Sequence, residues 1–360
     1  MATQITNYQC PACTGPLRFD GESGKLKCDY CGSFFPVQEI EALYADKLDA
    51  AEAAGVQAQS ASAQEEAGNW AEGLRAYNCP SCGAELLCEE TTAATSCPYC
   101  GNPTVVPAQF HGTLKPDYVL PFKLDKAAAI DALKRYYKGK RLLPKAFSEQ
   151  NHLEEIKGVY VPFWLYNGQV KADIRYAATR THTHRSGQYQ ITETEHFQVR
   201  RAGTVDFERI PADGASKMPD AHMDAIEPFD YSELKPFSTA YLPGFMADIY
   251  DVPAKEAAQR AVNRACRTAE AEFDATVSGY TTCAATDKQI SMPRLRTRYA
   301  LLPVWLLSTR YKDKSYLFAM NGQTGKLIGD LPVSPGRYAA WFFGIAGPLA
   351  AVLAALLFLL

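Results

Sequence analysis

The chain has 360 residues, 47% of them hydrophobic, and its 37 Lys and Arg nearly balance its 40 Asp and Glu, for a formal net charge of −3. This near-average composition predicts two or three folded domains. The charge is unevenly spread, and residues 1–114 carry a net charge of −9. Because contacts with phosphate groups need cations, this charge argues against general nucleic-acid binding by that region.

Eight of the eleven cysteines form two copies of one pattern, in which two Cys-x2-Cys pairs are separated by 14 residues. The copies contain Cys10, Cys13, Cys28 and Cys31, and Cys79, Cys82, Cys97 and Cys100. Such pairs on facing turns supply the four tetrahedral thiolates that zinc prefers. Each copy is too short for an apolar core, so metal binding is expected to drive its folding. The pattern predicts two zinc ribbons, over residues 1–37 and 77–110, each with one structural Zn²⁺.

Two other interpretations of the cysteines stay open. A disulfide scaffold is one, although residues 1–9 carry no secretory signal and the Cys-x2-Cys spacing suits a metal better than a loop-closing bridge. An iron site of rubredoxin type is the other, because its knuckles have the same spacing. Neither predicted site leaves an open coordination position, so both are expected to be structural. Cys88, Cys266 and Cys283 lie outside the pattern and are predicted to be packed thiols.

Short strands are predicted inside the first ribbon at 17–19, 24–26 and 34–35, with a turn at Asp20-Gly21. Residues 38–76 are rich in Ala, Glu and Gln. They predict a short amphipathic helix followed by an acidic linker that is helical or flexible.

Residues 111–335 repeat one order of elements. A strand at 118–122 precedes a helical run at 126–138 and a strand at 159–165. A second helical run at 254–276 precedes a strand at 300–306, and both of these later strands contain Pro-x-Trp-Leu. Alternating Thr residues on both sides of Ser186-Gly187 predict a long hairpin. We therefore predict an α+β fold, with an internally duplicated body built on antiparallel sheet.

Candidate catalytic residues in this body are few. His182 and His184 lie two residues apart on one predicted strand and His196 lies on its partner, a pattern that fits a metal or acid–base site or a polar exposed sheet. The sequence contains no Gly-x-Ser-x-Gly elbow, phosphate-binding loop or His-Glu-x-x-His motif. The prediction is a protein that is not an enzyme. A hydrolase would need a pocket that joins these histidines to carboxylates.

The segment 338–360 is 23 residues long and carries no charge. A helix of this length would run about 34 Å, enough to cross a hydrocarbon layer of roughly 30 Å. Arg337 before the segment, and Tyr338 and Trp341 at its start, favour a cytoplasmic N-terminal side. A buried core helix is the alternative. The pattern predicts a transmembrane helix at 338–360 in a single-pass, tail-anchored protein of the cell membrane, with its N-terminal body in the cytoplasm.

The two predicted ribbons differ in their content of basic residues. No Lys or Arg occurs between Arg75 and Lys115, a stretch that covers the whole second ribbon. Nucleic-acid binding is therefore not expected of the second ribbon. The first ribbon balances its basic and acidic residues, so nucleic-acid binding by it stays open.

The body is basic, with a net charge of +6 over residues 115–337. Arg294, Arg296 and Arg298 alternate along a predicted strand and would share one face. This row predicts either a face attracted to anionic lipid head groups or a solvated basic face.

A family resemblance rests on four stretches of sequence. They are Tyr-Gln-Cys-Pro-Ala-Cys13, Gly-Lys-Leu-Lys-Cys-Asp-Tyr-Cys31, Ala-Ile-Glu-Pro-Phe-Asp-Tyr231 and Leu-Phe-Ala-Met-Asn-Gly-Gln-Thr-Gly325. Over nearly its whole length the chain resembles bacterial membrane-anchored TFIIB-type zinc-ribbon proteins, often labelled primosomal-helicase-like. The label does not imply unwinding, because no Walker loop or helicase motif is present.

Similar proteins are encoded beside phage-shock-type envelope-stress proteins and an SPFH-domain protein. The resemblance thus implies a membrane-bound scaffold that recruits such partners, and it supplies no catalytic residues. We predict a non-enzymatic, tail-anchored zinc-binding adaptor that recruits proteins to the cytoplasmic membrane in envelope stress. The alternative is a membrane-tethered nucleic-acid-binding zinc-ribbon factor.

Overall fold

The structure is a computed structural model. It describes residues 10–13, 17–28, 30–43, 74–79, 84–89, 97–99, 106–108, 114–145, 147, 153–242, 244–312 and 314–359. Most of the predicted linker at 38–76 lies outside these residues, but its first part forms helix α1 over 37–43.

The first cysteine motif folds as a small antiparallel sheet. Its strands are β1 (Leu17–Asp20), β2 (Lys25–Cys28) and β3 (Phe34–Phe35). The turn at 21–24 ends at Gly24, whose φ of 65° favours glycine. Alternation along β1 and β2 buries Leu17, Phe19 and Leu26 on one face. The predicted ribbon strands are confirmed, and this unit is called the ribbon below.

The body is organised around a twelve-stranded mixed sheet. Its path runs β10-β7-β13-β8-β11-β5-β4-β6, with four further strands paired off the path. The strands are β4 (Leu74–Asn78), β5 (Glu85–Glu89), β6 (Val106–Ala108), β7 (Tyr118–Val119), β8 (Lys157–Ser186), β9 (Tyr189–Asp213), β10 (Lys235–Pro236), β11 (Met246–Asp248), β12 (Thr282–Ser291), β13 (Leu295–Tyr311), β14 (Lys314–Asn321) and β15 (Leu327–Gly329). Most strand pairs are antiparallel, but the predicted antiparallel sheet is corrected to a mixed one, since β11 runs parallel to β8 and β7 runs parallel to β13.

The second cysteine motif is not a separate ribbon. Its strands β4, β5 and β6 pair with one another, and β5 continues the large sheet by pairing with β11. Leu86 and Cys79 are buried in the same hydrophobic cluster as Val159 and Val161 of β8. The second predicted ribbon is therefore corrected to a part of the body, because its described strands complete their core with residues far along the chain.

The long hairpin of β8 and β9 is paired from Phe163↔Asp213 to Ser186↔Tyr189, and its turn holds Gly187 at a φ of 63°. The strand predicted at 159–165 and the first strand of the predicted hairpin are one continuous strand, β8. Strand β12 covers β8 only up to Thr179, so the hairpin tip extends beyond it. Both strands of this tip are exposed from about residue 182 to residue 195.

The two Pro-x-Trp-Leu segments hold equivalent positions in β8 and β13, which pair antiparallel. The Trp164 indole donates a 2.9 Å hydrogen bond to the carbonyl of Val252, just before the helix at Ala254–Ala275. The Trp305 indole donates a 3.1 Å bond to the carbonyl of Leu124, just before the helix at Lys126–Tyr137. Each tryptophan thus anchors the start of one helix.

These two helices are α2 (Lys126–Tyr137) and α4 (Ala254–Ala275), and the short α3 (Asp220–Ala225) lies between them in the chain. Helix α4 buries Ala257, Ala261, Ala265 and Ala269. Their spacing of four residues forms a stripe of small side chains, which lets α4 pack closely on β8 and β9.

The last helix, α5 (Pro335–Leu359), begins against the body, where the backbone N–H of Ser334 donates to the carbonyl of Leu142. Over the described residues, none of the helices combines the length and the apolarity that a bilayer crossing requires. The predicted transmembrane helix at 338–360 and the single-pass membrane localisation are therefore wrong.

Candidate metal centre

The four cysteines of the ribbon converge on one point. The sulfurs of Cys10, Cys13, Cys28 and Cys31 all lie within 4.8 Å of one another. The Cys10 and Cys31 sulfurs are 3.6 Å apart and those of Cys13 and Cys28 are 3.4 Å apart. Four thiolates at a zinc–sulfur distance of about 2.3 Å would be about 3.8 Å from one another in a tetrahedron. The cluster therefore has nearly the size of a tetrahedral zinc site.

Backbone geometry places these sulfurs. The Ala12 N–H donates to the Cys10 sulfur at 3.4 Å. In the second knuckle, the N–H of Gly32 donates to the Cys28 carbonyl at 2.9 Å, and Gly32 has a φ of 72°. A glycine reaches this left-handed region without strain, so the chain can turn tightly behind the second pair of cysteines. The sequence pattern predicted this knuckle correctly.

Burial divides the four cysteines into two pairs. Cys10 and Cys28 are buried, whereas Cys13 and Cys31 are exposed. The Cys31 sulfur and the Ser33 hydroxyl are 3.3 Å apart, and this hydrogen bond is the largest of the effects that lower the pKa of Cys31 to about 6. Thiolates are the form that binds metals. Ser33 therefore favours the metal-binding form of Cys31, a contribution that the cysteine spacing did not signal.

The donor set indicates what the site can hold. A cluster of four cysteine thiolates suits Zn²⁺ or a rubredoxin-type iron, and a filled tetrahedron has no open position for a substrate. The sulfur distances are far above the roughly 2.05 Å of a disulfide, so the disulfide scaffold is not supported in the ribbon. A zinc ion held here would cross-link both knuckles.

The ribbon is docked on the body. The ring of Phe19 meets that of Tyr241 edge-on, with centroids 5.2 Å apart. At Gly21, a Cβ atom would lie 2.2 Å from the carbonyl oxygen of Phe122, so the backbones of ribbon and body are in direct contact. In a second contact, the side chain of Arg18 in the ribbon lies against Gly244 of the body. The ribbon, α1 and the body share one hydrophobic cluster.

Two aromatic side chains of the ribbon are exposed. Tyr30, between Cys28 and Cys31, is 80% exposed, and Phe34 of β3 is 46% exposed. The ammonium of Lys27 lies over the Phe34 ring, 5.5 Å from its centroid. We call this surface, formed by Tyr30, Phe34 and Lys27, the aromatic face.

One such cysteine cluster occurs among the described residues, so the structure supports one of the two predicted zinc sites. Cys79 and Cys97 of the second motif are buried, whereas Cys82 and Cys100 lie outside the described residues. The second motif is held by another contact, in which the buried Tyr99 hydroxyl donates to the Asp248 carboxylate of β11. Nothing in the sequence signalled this pair.

Of the remaining cysteines, Cys266 packs against the core as predicted, whereas Cys283 differs from the prediction of a packed thiol. Cys266 is half-buried and Cys283 is exposed on β12. Cys88 lies in β5, and its side chain lies outside the described part of the chain.

The candidate histidines do not form a site. His182 pairs with Glu193 and His184 with Ile191, and both lie on the exposed hairpin tip. His196 pairs with Thr179, so the alternation of the strands places it on the opposite face from the other two. The register therefore separates His196 from His182 and His184.

The arginine row does share a face. Arg296 pairs opposite Asn167 and Arg298 opposite Leu165, and Arg294 directly precedes β13. Arg298 forms an ion pair with Asp117 at 3.2 Å. Arg296 lines two adjoining clefts on this face of the sheet.

Comparison with known proteins agrees with the ribbon geometry. Residues 9–39 match the Trm112p-like protein family. Over 348 residues the chain is 36% identical to "Uncharacterized protein YdjG" of Bacillus subtilis (strain 168), with 95% of each chain covered. No solved structure matches the chain. The TFIIB-type label gains no support from these matches. The chain belongs to the family of Bacillus subtilis YdjG, and it carries a Trm112p-like zinc-binding domain at its N-terminus.

Proposed function

We propose that this protein is a non-enzymatic zinc-binding adaptor, which binds a partner protein through the aromatic face of its ribbon. The main support is the exposure of the Tyr30 and Phe34 rings on a unit that is anchored to the body through Phe19. Aromatic residues are enriched at protein interfaces, where a rigid ring buries much area for little loss of conformational freedom.

The metal site would give this face its rigidity. Tyr30 lies between two of the cysteines and Phe34 lies three residues beyond the last one. Metal binding would thus fix the backbone on both sides of the Tyr30 ring before a partner arrives. Preorganised side chains lose less entropy on binding, which favours affinity.

The docked position of the ribbon supports an adaptor role, in which the bound partner has a defined orientation. Because Phe19 and Gly21 contact the body, the aromatic face has a defined orientation relative to the large sheet. A partner bound there would be held at a fixed position beside the body. The partners that we propose are proteins of the SPFH-domain or phage-shock type implied by the family resemblance.

Affinity capture with matched variants tests this proposal. Full-length Tyr30→Ser/Phe34→Ser chain is compared with the native chain and with a Tyr189→Ser/Ile191→Ser control, which removes two equally exposed apolar side chains from the hairpin tip. Co-purified proteins are quantified by mass spectrometry, and bound metal is measured in each sample.

We expect the ribbon variant to keep its metal and to recover its main partners about tenfold less well, since central aromatic residues carry much of the binding energy of an interface. The control is expected to recover them as the native chain does. Equal recovery by the ribbon variant and the native chain would overturn the proposed role of the aromatic face.

A further inference from the structure

Two adjoining clefts form one elongated groove across strands β9, β8 and β13. Their volumes are about 600 Å³ and about 530 Å³, and both are lined by Asn167, Glu208 and Arg296. We call them together the arginine groove. It lies on the body and involves none of the ribbon residues, so it is independent of the metal site.

One wall of the groove is a row of cations. Arg294, Arg296 and Arg298 occupy alternate positions, so neighbouring guanidinium groups start about 6.7 Å apart along the strand. Arg298 is paired with Asp117, but within the described residues the side chains of Arg294 and Arg296 have no hydrogen bond or ion pair. Two cations therefore face the groove without a counter-ion from the described part of the chain.

The other wall is acidic. Asp206 lies opposite Gln169, whose side-chain amide donates to it at 2.9 Å, and Glu208 lines both clefts. The amides of Asn167 and Gln169 on β8 form the floor between the walls. Since the two walls lie two strands apart, about 10 Å separates the acidic row from the basic row.

An irregularity in the sheet shapes one end of the groove. The register of β8 and β9 shifts between Tyr166 and Gly168, and Arg209 adopts a φ of 56°, which is rare for a residue with a side chain. The Arg209 N–H donates to the Asn167 side chain at 2.6 Å, and its guanidinium donates to the Tyr231 carbonyl at 3.1 Å. Bulges of this kind redirect side chains, and here the bulge adds a fourth cation to the groove.

The charge pattern selects a class of ligand. A single phosphate would meet few of the arginines, because they are spread along the strand instead of converging. A nucleic acid or polyphosphate would bring negative charge against Asp206 and Glu208. An extended peptide has the same period of about 6.7 Å and points successive side chains to opposite sides. Acidic residues at every second position would meet the arginines, and basic residues between them would meet Asp206 and Glu208.

We propose that the arginine groove binds an extended segment of a partner protein in which acidic and basic residues alternate. Such a segment satisfies both walls at once, while the amides of Asn167 and Gln169 can bond its backbone. This contact is a second interaction surface, separate from the aromatic face of the ribbon.

Fluorescence polarisation with two labelled peptides of equal composition tests the groove. The full-length chain is titrated into Glu-Lys-Glu-Lys-Glu or the block peptide Glu-Glu-Glu-Lys-Lys at low ionic strength. We expect the alternating peptide to bind about fivefold tighter, and Arg296→Gln to remove most of that difference because it deletes a central unpaired cation. Arg310→Gln, an exposed arginine farther along β13, is the matched control and should change nothing.

Equal affinity for the two peptides, or no binding of either one, would overturn the proposal. Tighter binding of polyphosphate or single-stranded DNA than of the alternating peptide would also overturn it. The Tyr30→Ser/Phe34→Ser variant is expected to bind the alternating peptide like the native chain, so failure of the groove and failure of the aromatic face can be distinguished.

Discussion

The ring of Phe19 in the ribbon lies edge-on against the ring of Tyr241 in the body, with 5.2 Å between their centroids. Phe19 and Tyr241 are 2% and 8% exposed, so this contact is part of the core. Phe19 lies in β1, between the two pairs of cysteines. A metal ion that orders the ribbon would therefore also order the part of the body that contacts Phe19. Metal binding and the stability of the body should therefore be coupled.

Removing the metal should loosen both sides of this contact. After treatment with a strong chelator, we expect faster hydrogen–deuterium exchange in residues 17–28 and also in residues 239–246, since a ribbon this small depends on its metal for folding. The central strand residues 159–165 are the internal control and should keep their protection. Unchanged exchange at 239–246, with increased exchange in the ribbon, would contradict the coupling.

Gly21→Ala should weaken the docking of the ribbon. The added Cβ would lie 2.2 Å from the Phe122 carbonyl oxygen, which is backbone and cannot rotate away. We expect a loss of about 1–3 kcal/mol in the free energy of unfolding, as for other overpacked sites. Chemical denaturation of the variant measures this loss, with Glu22→Ala, a change at an exposed neighbour, as its control. Equal loss in both variants would argue against a tight contact at Gly21.

Arg260→Ala should be among the most destabilising surface changes. Arg260 bonds Asp213 at 2.7 Å and also pairs with Asp220 and Asp224, and the side chain of Asp213 is only 2% exposed. Burial raises the pKa of Asp213, and the Arg260 guanidinium partly offsets this rise. Without Arg260 a buried carboxylate loses its counter-ion, a change that costs about 3–5 kcal/mol.

The matched control for Arg260 lies on the same helix. Arg267 of α4 is exposed, and its replacement by Ala should change the free energy of unfolding by less than about 0.5 kcal/mol. Thermal or chemical unfolding of both variants checks the difference. Comparable stability of the two would show that the ion pairs of Arg260 contribute little.

Stability should depend on pH through Asp248. Burial raises the pKa of Asp248 from 3.8 to about 7, and the neighbouring Tyr99 donates a hydrogen bond to it. Between about pH 4 and about pH 7 the folded state binds more protons at this site than the unfolded state does. The free energy of unfolding therefore falls as pH rises through this window, by up to about 4 kcal/mol from this residue.

Asp248→Asn isolates that contribution, because an Asn amide has no proton to lose. We expect the native chain to lose stability relative to the variant as pH rises from about 4 to about 7, measured by denaturation at several pH values. Effects of pH on the metal site cancel in this comparison, since both chains carry the same cysteines. A stability difference that does not change with pH would show that Asp248 titrates normally.

The ribbon was predictable because its determinants are local. Cysteine spacing, Gly32 and the alternation of Leu17, Phe19 and Leu26 all act within a few residues, and they fix the knuckles and strands that the structure contains. The predicted helix at 254–276 was likewise close to the observed Ala254–Ala275, because its apolar residues recur at helical spacing.

Long-range pairing was not predictable in the same way. The second cysteine motif resembles the first, yet Cys88 pairs with Met246, far along the chain, and this pairing makes β5 part of the large sheet. Likewise, the sequence left open whether His182, His184 and His196 form a site or a polar exposed sheet, because one residue of register decides which face each side chain takes. The arginine row was visible in the sequence, but its acidic opposite wall depends on the register of β9.

Metal content tests the central claim most directly. Full-length native chain and a Cys10→Ser/Cys13→Ser variant are purified side by side and assayed by elemental analysis, with Cys283→Ser as the control for loss of a thiol. A four-cysteine cluster that holds a structural metal predicts one zinc or iron ion fewer per chain in the double variant and no change in the control. Equal metal content in all three proteins would contradict a metal-organised ribbon, and with it the adaptor surface that the ribbon presents.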